Sequence, residues 1–187
     1  MPVASWLCLS HAWQRDGILR YDDDETAFRI EVCRVPIPST MQVEMLAAAC
    51  VDAYGDRLAA LAIFGSVGRG TASDASDLDL LVVLRSRPGG RTACLGEFRP
   101  VEERPELREL DLSPVFRTVE ELREGFALLL DMVDDAQILY DPEKLLADAL
   151  AGLRARLQAL GARRIQYKGS WYWDLKPDYR PGEVFRL

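Results

Sequence analysis

Phe64-Gly65-Ser66-Val67-Gly68-Arg69-Gly70-Thr71-Ala72-Ser73-Asp74-Ala75-Ser76-Asp77-Leu78-Asp79-Leu80-Leu81-Val82 is the stretch on which the reading of this chain turns. The apolar run Leu58–Phe64 that enters it reads as a buried strand, and Gly65-Ser66 opens a tight turn into a short helical segment. Glycine there lets the backbone approach a ligand closely, and free N–H groups at the turn favour an anion. The Ser66 hydroxyl adds one more hydrogen bond for a phosphate oxygen. Asp77-Leu78-Asp79 then leads into a second buried strand, Leu78–Leu84. Strand side chains alternate, so the two acids point to one side while Leu78 points into the core. Two neighbouring carboxylates repel, and burying both without a cation is costly. The pattern therefore invites a divalent metal, and oxygen-only ligands favour magnesium or manganese over zinc.

Working outward, Leu110-Asp111-Leu112 supplies a third acid on what reads as the next strand, Glu109–Phe116. Neighbouring strands lie only about 5 Å apart, so Asp111 could complete a carboxylate triad with Asp77 and Asp79. Glu109 has the same parity on that strand, and Glu102, Glu103 and Glu106 lie upstream as competitors. A phosphate-binding turn beside a carboxylate triad is what phosphoryl transfer requires.

The segment resembles the G-S-x-x-x-G-x-x-x-x-x-S-D-x-D signature of the polymerase β-type nucleotidyltransferases, matching without a gap at Gly65, Ser66, Gly70, Ser76, Asp77 and Asp79. Firm resemblance covers about residues 58–84, and the chain is most similar to the small single-domain members. Val67 and Gly68 depart from the usual pattern, in which larger residues are frequent after the Gly-Ser pair. The resemblance implies an α/β (α+β) fold with a small mixed sheet flanked by helices. It also implies Gly65, Ser66, Gly70 and Ser76 at the nucleotide, and Asp77, Asp79 and Asp111 as metal-binding catalytic residues. Arg69 could touch phosphate or stand solvated. The implied reaction moves a nucleoside monophosphate, expected to be AMP from ATP, onto a hydroxyl of a protein or small molecule. Alternatives are an antitoxin that binds or AMPylates a helical HEPN toxin, a nucleotide-binding module without turnover, and RNA-end addition.

The 187 residues carry a formal net charge of −7, which argues against a surface given over to nucleic acid. The charge is uneven. From Leu150 to Leu187 eight Lys/Arg stand against three acids, so this part carries +5 and the remainder −12. A basic C-terminal part paired with an acidic body accounts for this, and a local RNA or phosphate contact is the rival explanation. Cys8, Cys33, Cys50 and Cys94 are widely spaced, and His11 is the one histidine, so no zinc constellation is expected and buried free thiols are. The start has no basic segment followed by a long apolar run, so a cytoplasmic protein is expected.

The remaining pattern predicts an N-terminal extension over 1–40, a nucleotidyltransferase domain over 41–160 and a basic, aromatic tail over 161–187. In the extension a helix is expected over 3–15, with strands at 18–21 and 27–35. Ser39 or Thr40 caps a helix to about 54 with Met41, Met45, Leu46, Ala49 and Cys50 on one face. Residues 85–105 read as a loop or short helix. Thr118 and Glu121 form a capping box for a helix to about 132. Ala136–Tyr140 reads as a strand, and Asp141-Pro142 opens a helix to about 160. The rings of Trp171, Tyr172 and Trp173 are expected to pack back onto the domain rather than form a base-stacking platform.

Overall fold

The computed structural model describes residues 38–72, 76–87, 89–167 and 170–185. The helix and strands expected before residue 37, with Cys8, Cys33 and His11, lie outside the described residues.

The first described helix, α1 (Thr40–Tyr54), begins where its cap dictates. The Ser39 side chain accepts from the Gln42 amide at 3.2 Å, and Gln42 Oε1 accepts from the Ser39 amide at 3.0 Å. This reciprocal box satisfies two donors that a helix start otherwise leaves unpaired. Ser39→Ala should therefore lower stability by about 1 kcal/mol in urea denaturation. The buried stripe is Leu46, Ala49, Cys50 and Tyr54, whereas Met41, expected on that face, is 69% exposed at the first turn.

Two strands, buried at every position but Asp79, form the middle of the sheet. β1 (Leu58–Ile63) and β2 (Leu78–Leu84) are antiparallel neighbours, and the residues between them carry the decisive motif. Within that link lies a single helical turn, α2 (Gly65–Gly68). β3 (Leu112–Thr118) runs parallel to β2, and β4 (Gln137–Tyr140) runs antiparallel to β1. The sheet order is β3-β2-β1-β4, a four-stranded mixed sheet. A parallel pair needs a crossover, which α3 (Arg91–Glu102) supplies in the segment expected as a loop or short helix.

Strand alternation divides the core into two layers. Leu78, Leu80, Val82 and Leu84 pack with α1 and α3 on one face. Leu81 and Val83 pack on the other face with α4 (Val119–Glu124), α5 (Leu129–Met132) and α6 (Leu145–Ala159). Asp79 has the parity of Leu81, so it belongs to this second face, at the end where β2 begins.

Several boundaries differ from expectation. The Thr118–Glu121 capping box is present, but the helix stops at Gly125, which takes φ 82, and resumes as α5. The last helix starts at Leu145 rather than at Pro142, because Lys144 adopts a left-handed conformation as its cap. Asp141 still serves that helix, since its Oδ2 accepts from the Ala147 amide at 2.9 Å. The third strand starts at Leu112, not Glu109, because the chain turns through Leu107–Leu110 first. Pro114 is tolerated within β3 because it is an edge strand.

The tail contains a β-hairpin that the sequence pattern did not announce, β5 (Arg163–Tyr167) with β6 (Ser170–Asp174). Trp173 packs against the second core layer as expected of the aromatic rings, whereas Tyr172 is half exposed. The cations here are largely paired. Arg154 reaches Asp134 and Arg164 reaches Asp135 on the body, and Arg163 reaches Asp174 across the hairpin. Cys50 and Cys94 are buried free thiols, and burial pushes the Cys50 thiol up to about 12, which makes it unreactive. Among the described residues no helix is long and apolar enough to cross a membrane.

Candidate active site

The site is assembled from the end of β1, the turn α2 and the start of β2. The Phe64 amide donates to the Asp79 carbonyl at 3.1 Å, which ties the exit of β1 to the entry of β2. Gly65 follows at φ 70, a conformation that side-chain-bearing residues rarely take. A Cβ on Gly65 would stand 2.0 Å from Asp79 Oδ2, so the Asp79 carboxylate occupies the room a side chain would need. The rest of the turn is closed by its own backbone. Gly68, Arg69 and Gly70 amides donate to the Phe64, Gly65 and Val67 carbonyls, and the Thr71 amide donates to Ser66 at 2.9 Å.

Gly68, one of the two departures from the usual pattern, has a local cause. A Cβ there would stand 2.7 Å from the carbonyl oxygen of Asp135. The backbone leaving α5 therefore lies directly against the turn, and a larger residue would have to displace it.

Asp79 is half-buried and Asp77 exposed. Burial, and after it the Asp77 charge, raises the Asp79 carboxyl above its usual range; Arg69 opposes this and Asp131 adds to it. The geometry thus brings Gly65, Arg69, Asp77 and Asp79 together. Asp111 adjoins this cluster at its Asp77 end. It is exposed and lies one residue before β3, where its carbonyl accepts from the Leu78 amide at 2.7 Å. The parallel register pairs Asp79 with Ser113, so Asp111 flanks Asp77 rather than Asp79. Among the described residues, no three acids stand close enough to form a ready-made cage for an ion.

Asp131 on α5 was missed by sequence reasoning. Its one sequence signal is an acid inside the apolar run Leu128–Val133. One cavity, of ≈ 460 Å³, borders the turn through Val67 and is otherwise lined by residues of 38–47 and 137–139.

The profile of the family described as nucleotidyltransferase domain matches residues 43–138, about half the chain, and this span includes most of α1, the turn, both central strands and Asp111. The chain belongs to that family. A relative from Methanocaldococcus jannaschii, whose provisional name is protein adenylyltransferase, is 34% identical over 68 residues. The match covers 36% of this chain and 40% of that protein, so it spans about two-fifths of the relative's length. Among solved structures, a toxin–antitoxin complex with AMP-PNP has a chain 18% identical, with a TM-score of 0.43, covering 62% of this chain and 93% of the other. A complex of tri-AMPylated Shewanella oneidensis HEPN toxin with MNT antitoxin gives 16% identity and a TM-score of 0.41, covering 65% of this chain and 94% of the other. Likeness at that level carries no argument about this nucleotidyltransferase-family chain.

Proposed function

We propose that the chain transfers a nucleoside monophosphate, AMP from ATP, to a hydroxyl group of a protein, with release of pyrophosphate. The observation that supports this most directly is the packing of Gly65 against Asp79, which sets the start of a phosphate-binding turn beside a carboxylate. The identity shared with a relative named as a protein adenylyltransferase favours adenylate and a protein acceptor.

The donor set fits a hard divalent cation. Asp79 is destabilised as an anion by burial and by Asp77, Arg69 alone opposes this, and all the available donors are oxygens. Asp77 and Asp79 would hold magnesium or manganese, with Asp111 adding a ligand from beside Asp77. When bound, such an ion neutralises phosphate charge and lowers the pKa of an attacking hydroxyl. The chain's own residues do the rest. The Gly65 and Ser66 amides, at the start of the turn, hold the outer phosphates, and the Ser66 hydroxyl adds a hydrogen bond. Gly70 and Ser76 complete the nucleotide contacts of the motif. Arg69, already close enough to lower the Asp79 carboxyl, offers a positive charge to the triphosphate. Asp111 accepts the proton of the acceptor hydroxyl as it attacks the α-phosphorus.

The test is incubation with each α-labelled NTP, magnesium and host-cell extract. Label from ATP should appear on a protein, and EDTA should abolish it. Label on RNA alone would replace the protein acceptor with a nucleic acid one. Absence of both transfer and metal-dependent nucleotide binding would sink the reading.

A further inference from the structure

The β5–β6 hairpin lies beyond the span matched by the family profile, yet its contacts converge on the back of the site. From α5 to the approach of β4, residues 130–135 are held from behind at four points, two by the hairpin and two by Arg154 of α6. Trp173 Nε1 donates to the Leu130 carbonyl at 3.2 Å. Arg154 donates to the Val133 carbonyl and pairs with Asp134 at 3.7 Å. Arg164 Nη1 pairs with Asp135 Oδ2 at 3.3 Å, both side chains being partly buried. The Arg164 guanidinium also lies 3.7 Å from the centre of the Trp171 ring, which fixes its plane.

The other side of the same segment faces the site. The Asp135 carbonyl fills the space above Gly68, and Asp131 lies within electrostatic reach of Asp79. Register explains the division of labour within the hairpin. Arg164 sits opposite Trp173, and Gln166 opposite Trp171, so both anchors and the stacking ring share one face of the ribbon. Interior packing transmits displacement, so a shift of the hairpin must move Asp135 and with it the turn.

We propose that the hairpin is a positioning device for the phosphate-binding turn, with Arg164 and Trp173 as its positioning residues. Its kinetic consequence rests on the transferase reading; its structural consequence does not. Hydrogen exchange on the full chain separates the two. In Arg164→Ala the amides of Gly68, Arg69 and Gly70 should exchange about tenfold faster, while those of Leu81 and Val82 in β2 hold. Arg164→Lys keeps the charge but loses the planar stack and the fork, and should fall between. Trp173→Phe keeps the ring and loses the N–H, and should loosen the same three amides. Unchanged exchange at those amides in Arg164→Ala, with loosening confined to the hairpin, overturns the proposal. In the transfer assay, Arg164→Ala should raise KM for the nucleotide about tenfold with a smaller change in kcat, and Arg164→Lys should recover part of it. A fall in kcat at unchanged KM also overturns it. A wild-type chain that neither binds nor transfers any nucleotide overturns the transferase reading alone, because the exchange comparison still decides the role of the hairpin.

Discussion

Asp79→Asn should abolish nucleotidyl transfer, by about a thousandfold or more, while leaving the metal-free chain at least as stable as the wild type at neutral pH. The loss of activity corresponds to several kcal/mol of transition-state stabilisation, the scale of a bound metal's contribution. The stability half has the opposite sign, and the cause is electrostatic. Burial and the neighbouring Asp77 raise the Asp79 carboxyl in the folded chain above its ordinary value of 3.8. A carboxyl raised on folding holds its proton more tightly in the folded than in the unfolded state. Its favourable contribution is full below the unfolded pKa and is lost as pH rises through the folded one. Asparagine is neutral throughout, so the variant's advantage in Tm should be absent near pH 3 and grow toward pH 7. Thermal melts in EDTA across that range measure it. A Tm that falls at pH 7 would show that Asp79 is a structural anion, and substantial residual transfer would remove it from the chemistry.

The central motif was legible because its signals are local. Leu58–Ile63 and Leu78–Leu84 are runs too apolar to be anything but buried, and the residues at their junction have few conformations open to them. The Thr118–Glu121 capping box is equally local and appears where the residues place it, and of the two caps open to the first helix, Ser39 and Thr40, Ser39 takes the role. What escaped depends on distant partners. The start of β3 is set by parallel pairing with β2 and by the turn through Leu110, so Asp111 falls outside the strand that sequence alternation assigned to it. Asp131 comes within electrostatic reach of Asp79 only because the fold brings α5 and β2, far apart in the chain, into one core layer. The hairpin alternates aromatic, cationic and polar residues on both faces, a pattern without the one-sided apolar stripe that marks a half-buried strand. Its inner face is satisfied by Asp135 and the Leu130 carbonyl, which no local rule supplies.

Gly65→Ala is the companion experiment, and it should fail in both respects at once. The backbone at φ 70 alone imposes about 1–3 kcal/mol of strain on a residue with a side chain. The added Cβ would also stand 2.0 Å from Asp79 Oδ2 and 2.9 Å from its Cγ, distances that real contacts do not reach. Either the Asp79 carboxylate swings away or the turn opens, and each separates the amides proposed to bind phosphate from the acid beside them. Transfer should fall by at least about a hundredfold, because misplacement of about 1 Å is enough for that. The urea midpoint should fall as well. The double variant Gly65→Ala/Asp79→Ala distinguishes the clash from the backbone strain. Removing the carboxylate clears the two closest contacts and leaves the Asp79 Cβ at 3.2 Å, so the pair should be more stable than Gly65→Ala alone while remaining inactive. Simple addition of the two single effects would mean that the turn and the carboxylate do not share this space. An active double variant would mean that the reaction does not need them side by side.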